Sequence, residues 1–246
     1  MIEYYIQHHE NESPVRIDVD LSLADELPLI GKPLLLWVFI KLKEPDDAGI
    51  CREPECSRLQ QMREAIESAL KTHVGARFSG SRMSDGWCEL YFYARSGKGL
   101  TSIVGQILEP FDGYAFDTGS SRDEKCEHYE NELYPDTLML HQIQNRHIIE
   151  ELREAGDDLD AEREVEHYLF FQLEGQAERA VRELEVSGYR LKDVVEEEGE
   201  YAHGRIVVRV QDVTEARMME TVEELLETVI KEHGIYEGWS TVLAGA

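Results

Sequence analysis

The sequence predicts two ferredoxin-like α+β sandwiches in tandem, the first with an extra leading strand. Three observations predict this. The length, 246 residues, exceeds that of a usual single domain. The order strand, helix, two-stranded hairpin, helix, strand appears twice along the chain. A glycine directly after the second helix of each half, Gly113 or Gly234, opens the last strand.

The elements follow in order. Ser13 to Leu23 alternates, with Val15, Ile17, Val19 and Leu21 on one side and Arg16, Asp18 and Asp20 on the other, so it is a half-buried leading strand. Leu34 to Leu42 is rich in β-formers between Pro33 and Pro45 and predicts a central strand. From Ser57 to His73, Leu59, Met62, Ile66, Ala69 and Leu70 recur at helical steps, with Ser57 available as the cap. Ala76 to Met83 and Trp87 to Arg95 form a hairpin through Asp85-Gly86. A helix from Leu100 to Phe111 then passes through Asp112-Gly113 into a strand at Tyr114 to Thr118.

In the second half Glu164 to Leu173 predicts a strand, and Gln176 to Ser187 a helix closed by Gly188. Tyr189 to Glu196 and Arg205 to Gln211 form the hairpin. Thr214 to Glu232 is a helix with Met218, Val222, Leu225, Leu226 and Val229 on one face, and Gly238 to Leu243 is the last strand. Between the halves Pro135 breaks the chain and Leu138 to Leu152 forms a helix, which places the boundary near Leu140, with domains 1–139 and 140–246.

Charge narrows the function. There are 51 Asp and Glu against 25 Lys and Arg, a formal net charge of −26. Such a chain repels phosphate backbones, and no basic patch offsets this, so direct binding to nucleic acid or an anionic membrane is not expected. The longest apolar run, Pro33 to Ile40, is too short to span a bilayer, and the N-terminus lacks a basic start, so the expected location is cytoplasmic. Residues 151–246 hold 25 acids and 10 bases, the denser share of negative charge, and are the better surface for a basic partner.

The four cysteines, Cys51, Cys56, Cys88 and Cys126, suit a reducing compartment and are expected as ordinary thiols. Cys51 and Cys56 lack the second close pair a structural zinc site needs, and a composite site with Cys126, His128, His8 and His9 rests on spacing alone. Ser96-Gly97-Lys98-Gly99 sits between a strand and a helix, yet Phe92 and Gly99 stand where a phosphate loop needs Gly and Ser or Thr. The acidic runs at Glu196 to Glu200 and at Glu223, Glu224 and Glu227 lack a calcium-loop pattern and are expected as solvated faces. Asp157, Asp158 and Asp160 lack a downstream bidentate Glu at the right distance. No nucleophile, acid and base combination emerges, so no catalytic residue, cofactor or metal is assigned. Tyr236-Glu237-Gly238-Trp239 fits either a strand entry whose Trp packs on the core or the aromatic anchor of an interface.

Several separated strings agree with one family. Asn145-Arg146-His147-Ile148-Ile149-Glu150-Glu151-Leu152, Gly156-Asp157-Asp158-Leu159-Asp160, Glu166-His167-Tyr168, Ser187-Gly188-Tyr189 and Tyr236-Glu237-Gly238-Trp239 resemble, in order and spacing, the bacterial regulator of ribonuclease E activity B. Glu237 replaces the family's usual Asp, and Tyr168 stands where a second His is common. The first half resembles a family of unknown function sometimes fused ahead of that domain, through Phe78-Ser79-Gly80, Asp85-Gly86 and Leu90-Tyr91-Phe92-Tyr93. The resemblance implies a non-enzymatic acidic protein that binds a basic RNA-processing protein such as ribonuclease E and restrains RNA decay. The expected contacts are Asp157, Asp158, Asp160, Glu223, Glu224, Glu227, Tyr236, Glu237 and Trp239. The alternative is a small-ligand or metal-binding protein, enzymatic or not, whose cleft between the two sheets uses His167, Cys88 or Asp85. Sheet edges also leave room for a homodimer.

Overall fold

The computed structural model describes residues 2–7, 13–111 and 113–245. The chain divides into two compact units, Met1–Pro135 and Asp136–Ala246. Each unit carries its own antiparallel sheet with helices, so the tandem α+β architecture expected from the sequence is present. His8 and His9 lie outside the described residues.

The first unit contains strands β1 (Ile2–Gln7), β2 (Val15–Asp20), β3 (Leu34–Lys41), β4 (Arg77–Ser84), β5 (Trp87–Ala94) and β6 (Phe116–Arg122), with helices α1 (Glu55–Val74) and α2 (Leu100–Leu108). Strand order is β1-β2-β4-β5-β3-β6. The last four positions reproduce the ferredoxin-like order, and β2 extends it past β4. β1 then adds a second leading strand, where the sequence reading placed only a polar start. Its alternation is short, and its partner is the edge of β2, a tertiary fact. The Asp85-Gly86 hairpin forms as expected, with φ 50° and 77°, the left-handed pair that a two-residue turn of this kind requires.

Leu59, Met62, Ile66 and Leu70 lie on one face of α1 and are buried against Leu36, Val38 and Ile40 of β3. Each such side chain contributes about 1.5–3 kcal/mol on burial. Ser57 is not the helix cap. α1 starts two residues earlier, behind Pro54, and the Ser57 hydroxyl instead donates to Glu53 at 2.7 Å. The other face of this sheet is covered by chain that returns to it. Tyr129 and Leu133 of a π-helical turn are fully buried, and Tyr129 Oη donates to the Asp20 carbonyl at 2.9 Å. Tyr93 Oη donates to Asp123 at 2.6 Å, and burial beside that carboxylate pushes the Tyr93 phenol well up.

The second unit contains α3 (Thr137–Glu154), β7 (Arg163–Phe171), α4 (Glu174–Val186), β8 (Arg190–Glu196), β9 (His203–Gln211), α5 (Glu215–Lys231) and β10 (Ile235–Thr241). Strand order is β10-β7-β9-β8, again the ferredoxin-like order. Asp136 caps α3 by accepting from the Met139 amide at 2.9 Å. Val165, His167, Leu169 and Phe171 alternate along β7 and are all buried on the helix side. β10 starts earlier than its sequence pattern suggests, so Tyr236-Glu237-Gly238-Trp239 is mid-strand. Gly238, at φ 132°, sits in a bulge that shifts the register between Tyr236 and Gly238.

The cysteine expectation is overturned as well. Cys51 and Cys56, expected as ordinary thiols, are joined in a disulfide, while Cys88 and Cys126 are free and buried. No described helix is long and apolar enough to cross a membrane.

Candidate interaction surface

The helix α5 shows how sequence pattern becomes a charged surface. Its Met218, Val222, Leu225, Leu226 and Val229 are buried, which turns Glu220, Glu223 and Glu227 to solvent. Among the described residues Glu223 and Glu227 form no ion pair. Glu224 differs. It is half-buried, it pairs with Arg209 at 2.9 Å, and it accepts from Tyr189 Oη at 3.2 Å. Arg209 also lies 4.3 Å over the Tyr189 ring, so Glu224 belongs to a polar cluster beneath the helix.

The turn at Asp157, Asp158 and Asp160 splits in the same way. The Asp157 side chain is 0 % exposed and pairs at 2.6 Å with Arg163, itself 6 % exposed. Its other oxygen accepts from the Ala244 amide at 2.9 Å, and Arg163 Nη1 donates to the Asp158 carbonyl at 2.8 Å. This carboxylate therefore anchors the turn to the C-terminal segment. Asp158 and Asp160 remain exposed.

Tyr236 and Trp239 are 5 % and 6 % exposed, so their rings fill the core, and Glu237 between them is exposed. Trp239 Nε1 donates to Asn145 of α3 at 2.7 Å, joining β10 to α3. Tyr236 Oη lies 3.0 Å from Nδ1 of His167. The His167 ring is fully buried, and its Nε2 meets no hydrogen-bond partner among the described residues. Burial, with the nearby Arg209 charge adding to it, holds the imidazole pKa down to about 3. The ring is therefore neutral at pH 7.

The remaining acids are spread widely. On the sheet face away from the helices, Arg190 pairs with Glu164 at 2.8 Å and Lys192 pairs with Glu166, which leaves that face of mixed sign. At the start of the β8–β9 loop, Glu196 and His203 are cross-strand partners. His203 Nδ1 lies 3.1 Å from both Glu196 and Glu174, and Glu174 also meets the buried Arg205. Among the described residues these three could offer donors to a cation. The same contacts are satisfied by ion pairing alone.

Of the residues in the alternative reading two are buried, and Asp85 is exposed. His167 is in the core of the second unit. Cys88 is 4 % exposed in the first, where burial pushes its thiol up to about 12. Asp85 forms the β4–β5 turn. Sequence reasoning assigned no role to Arg163 or Asn145 and missed the Cys51–Cys56 bond. Asn145 stood within the family-like string, and the cysteine pair had a local signal in its closeness.

Residues 142–241 match the family described as Regulator of ribonuclease activity B. Residues 3–134, more than half of the chain, match a family of unknown function, DUF695. A crystal structure of an unknown protein from Galdieria sulphuraria is 16 % identical, with 86 % of this chain and 99 % of that chain covered, at a TM-score of 0.23, too low to relate the folds. No curated protein matches the chain.

Proposed function

The chain belongs to the DUF695 family of unknown function, and from that membership joined to a C-terminal unit resembling a regulator of ribonuclease activity we propose a non-enzymatic, cytoplasmic regulator of an RNA-processing ribonuclease such as ribonuclease E. The match over residues 142–241 carries this reading. Charge supplies the mechanism. With 25 acids to 10 bases in residues 151–246, the unit competes with RNA phosphates for Arg-rich segments of the ribonuclease.

The contact falls to the exposed carboxylates Asp158, Asp160, Glu223, Glu227 and Glu237. Asp157, Glu224, Tyr236 and Trp239 support that surface from beneath, because each is committed to a partner or to the core. Lacking neutralisation by local arginines, Glu223 and Glu227 present available charge on α5.

The test is the affinity of the full chain for purified ribonuclease E, and inhibition of its RNA cleavage, across a salt series. Binding should weaken steadily with salt. Glu223→Lys with Glu227→Lys should reduce affinity about ten-fold at low salt, a loss of charge complementarity. An unchanged affinity in the double reversal, or no inhibition by the wild type, would refute the proposal.

A further inference from the structure

Outside the surface just described, the first unit holds a cysteine pair in an unusual setting. Cys51 and Cys56 are both half-buried and line a cavity of about 340 Å³, together with Arg16, Arg63 and Met83. The remaining cysteines, Cys88 and Cys126, are enclosed at 4 % and 1 % exposure and carry free thiols. Cys88 also lines this cavity, but the bonded pair is the more exposed of the cysteines around it.

Position adds to exposure. Cys56 is the second residue of the 20-residue helix α1, whose start has no side-chain cap. The positive end of that helix favours an anion at this place and lowers the pKa of a thiol there. The cavity adds two guanidinium groups and two carboxylates, Asp18 and Glu53, of which Glu53 accepts from the Ser57 hydroxyl at 2.7 Å, and Arg63 Nε is buried with no hydrogen-bond partner among the described residues. Arg16 by contrast is engaged by Asp18 at 3.1 Å. A structural staple would have little to do here. The cysteines are only five positions apart, and the stabilisation from closing a loop shrinks with its length. The core of α1, α2 and the sheet beside it is already continuous.

We propose that Cys51 and Cys56 form a redox-active pair that exchanges with a low-molecular-weight thiol of the glutathione class entering this cavity. The thiolate of the incoming thiol attacks Sγ of Cys51. A new S–S bond forms as the Cys51–Cys56 bond breaks, and the electron pair leaves on Sγ of Cys56, where the helix terminus stabilises it. A second thiol then attacks the mixed disulfide and releases Cys51. Two external thiols are oxidised to one disulfide, and the protein gains two thiols and their two protons. Reduction frees the segment from Cys51 to α1. That segment borders Glu55, whose carboxylate accepts the Lys43 amide at 2.8 Å and the Glu44 amide at 3.1 Å.

The full chain is equilibrated in reduced and oxidised glutathione mixtures, trapped with an alkylating agent and weighed by mass spectrometry. Half-reduction should fall within the range of these buffers, reverse on adding oxidised glutathione, and leave the far-ultraviolet circular dichroism unchanged. In Cys51→Ser, the alkylation rate of Cys56 should follow a pH midpoint below about 8, under that of an ordinary thiol. A pair that stays oxidised until the protein unfolds, or that stays reduced in oxidised glutathione, overturns the proposal. A Cys56 midpoint at the ordinary value overturns the role of the helix terminus.

Discussion

Acid should destabilise the second unit in large part through one ring, His167. The imidazole is fully buried and held near pKa 3, against about 6.5 in an unfolded chain. A histidine whose folded pKa is depressed binds its proton more readily when unfolded, so its contribution is complete above the unfolded value and is lost as pH falls toward the folded one. The window is therefore about pH 6.5 to 3. Between pH 7 and pH 5 the unfolded ring becomes charged while the folded ring stays neutral, and linkage sets the loss at about 2 kcal/mol. Trp239, buried and bonded to Asn145, reports unfolding of this unit once Trp37 and Trp87 are replaced by Phe. Urea unfolding followed by its fluorescence at pH 7, 6 and 5 gives the slope. His167→Gln in the same background should lose about 2 kcal/mol less over that interval. The depressed carboxylates Asp212 and Glu232 and the His141 imidazole, lowered by burial, are common to both proteins and cancel in the difference. Parallel pH dependences would show that His167 is protonated or solvated in the folded unit and would refute the reasoning.

Two further outcomes follow from close contacts in the same unit. Asp157→Asn leaves Arg163 charged and enclosed, which should cost about 3–5 kcal/mol by chemical denaturation, whereas Asp158→Asn, at an exposed position, should stay within about 0.5 kcal/mol. Gly234→Ala would place a Cβ 2.5 Å from Phe171 Cδ1 and 2.7 Å from the Phe170 carbonyl oxygen, so about 1–3 kcal/mol should be lost, read from the urea midpoint.

How much of this could be read in the chain depends on the range of the cause. Apolar residues at helical spacing placed α1 and α5, and Asp85-Gly86 placed its hairpin, because periodicity and turn chemistry act between neighbours in sequence. The second leading strand β1 was not legible, since its pairing lies on the edge of β2. The acidic surface was legible as a composition, but not the sorting within it. Asp157 and Asp158 are adjacent and alike, yet one is enclosed by Arg163 and the other is free at the surface.

By itself the sequence determined the two-part α+β order, the excess of negative charge and the faces of its helices, because each follows from local spacing or from counting. Tertiary structure alone decided which carboxylates stay exposed, which aromatic rings become core, that His167 is dry, and that Cys51 meets Cys56 beside a cavity. Burial and pairing depend on what other segments bring to a residue, and that information is spread over the chain.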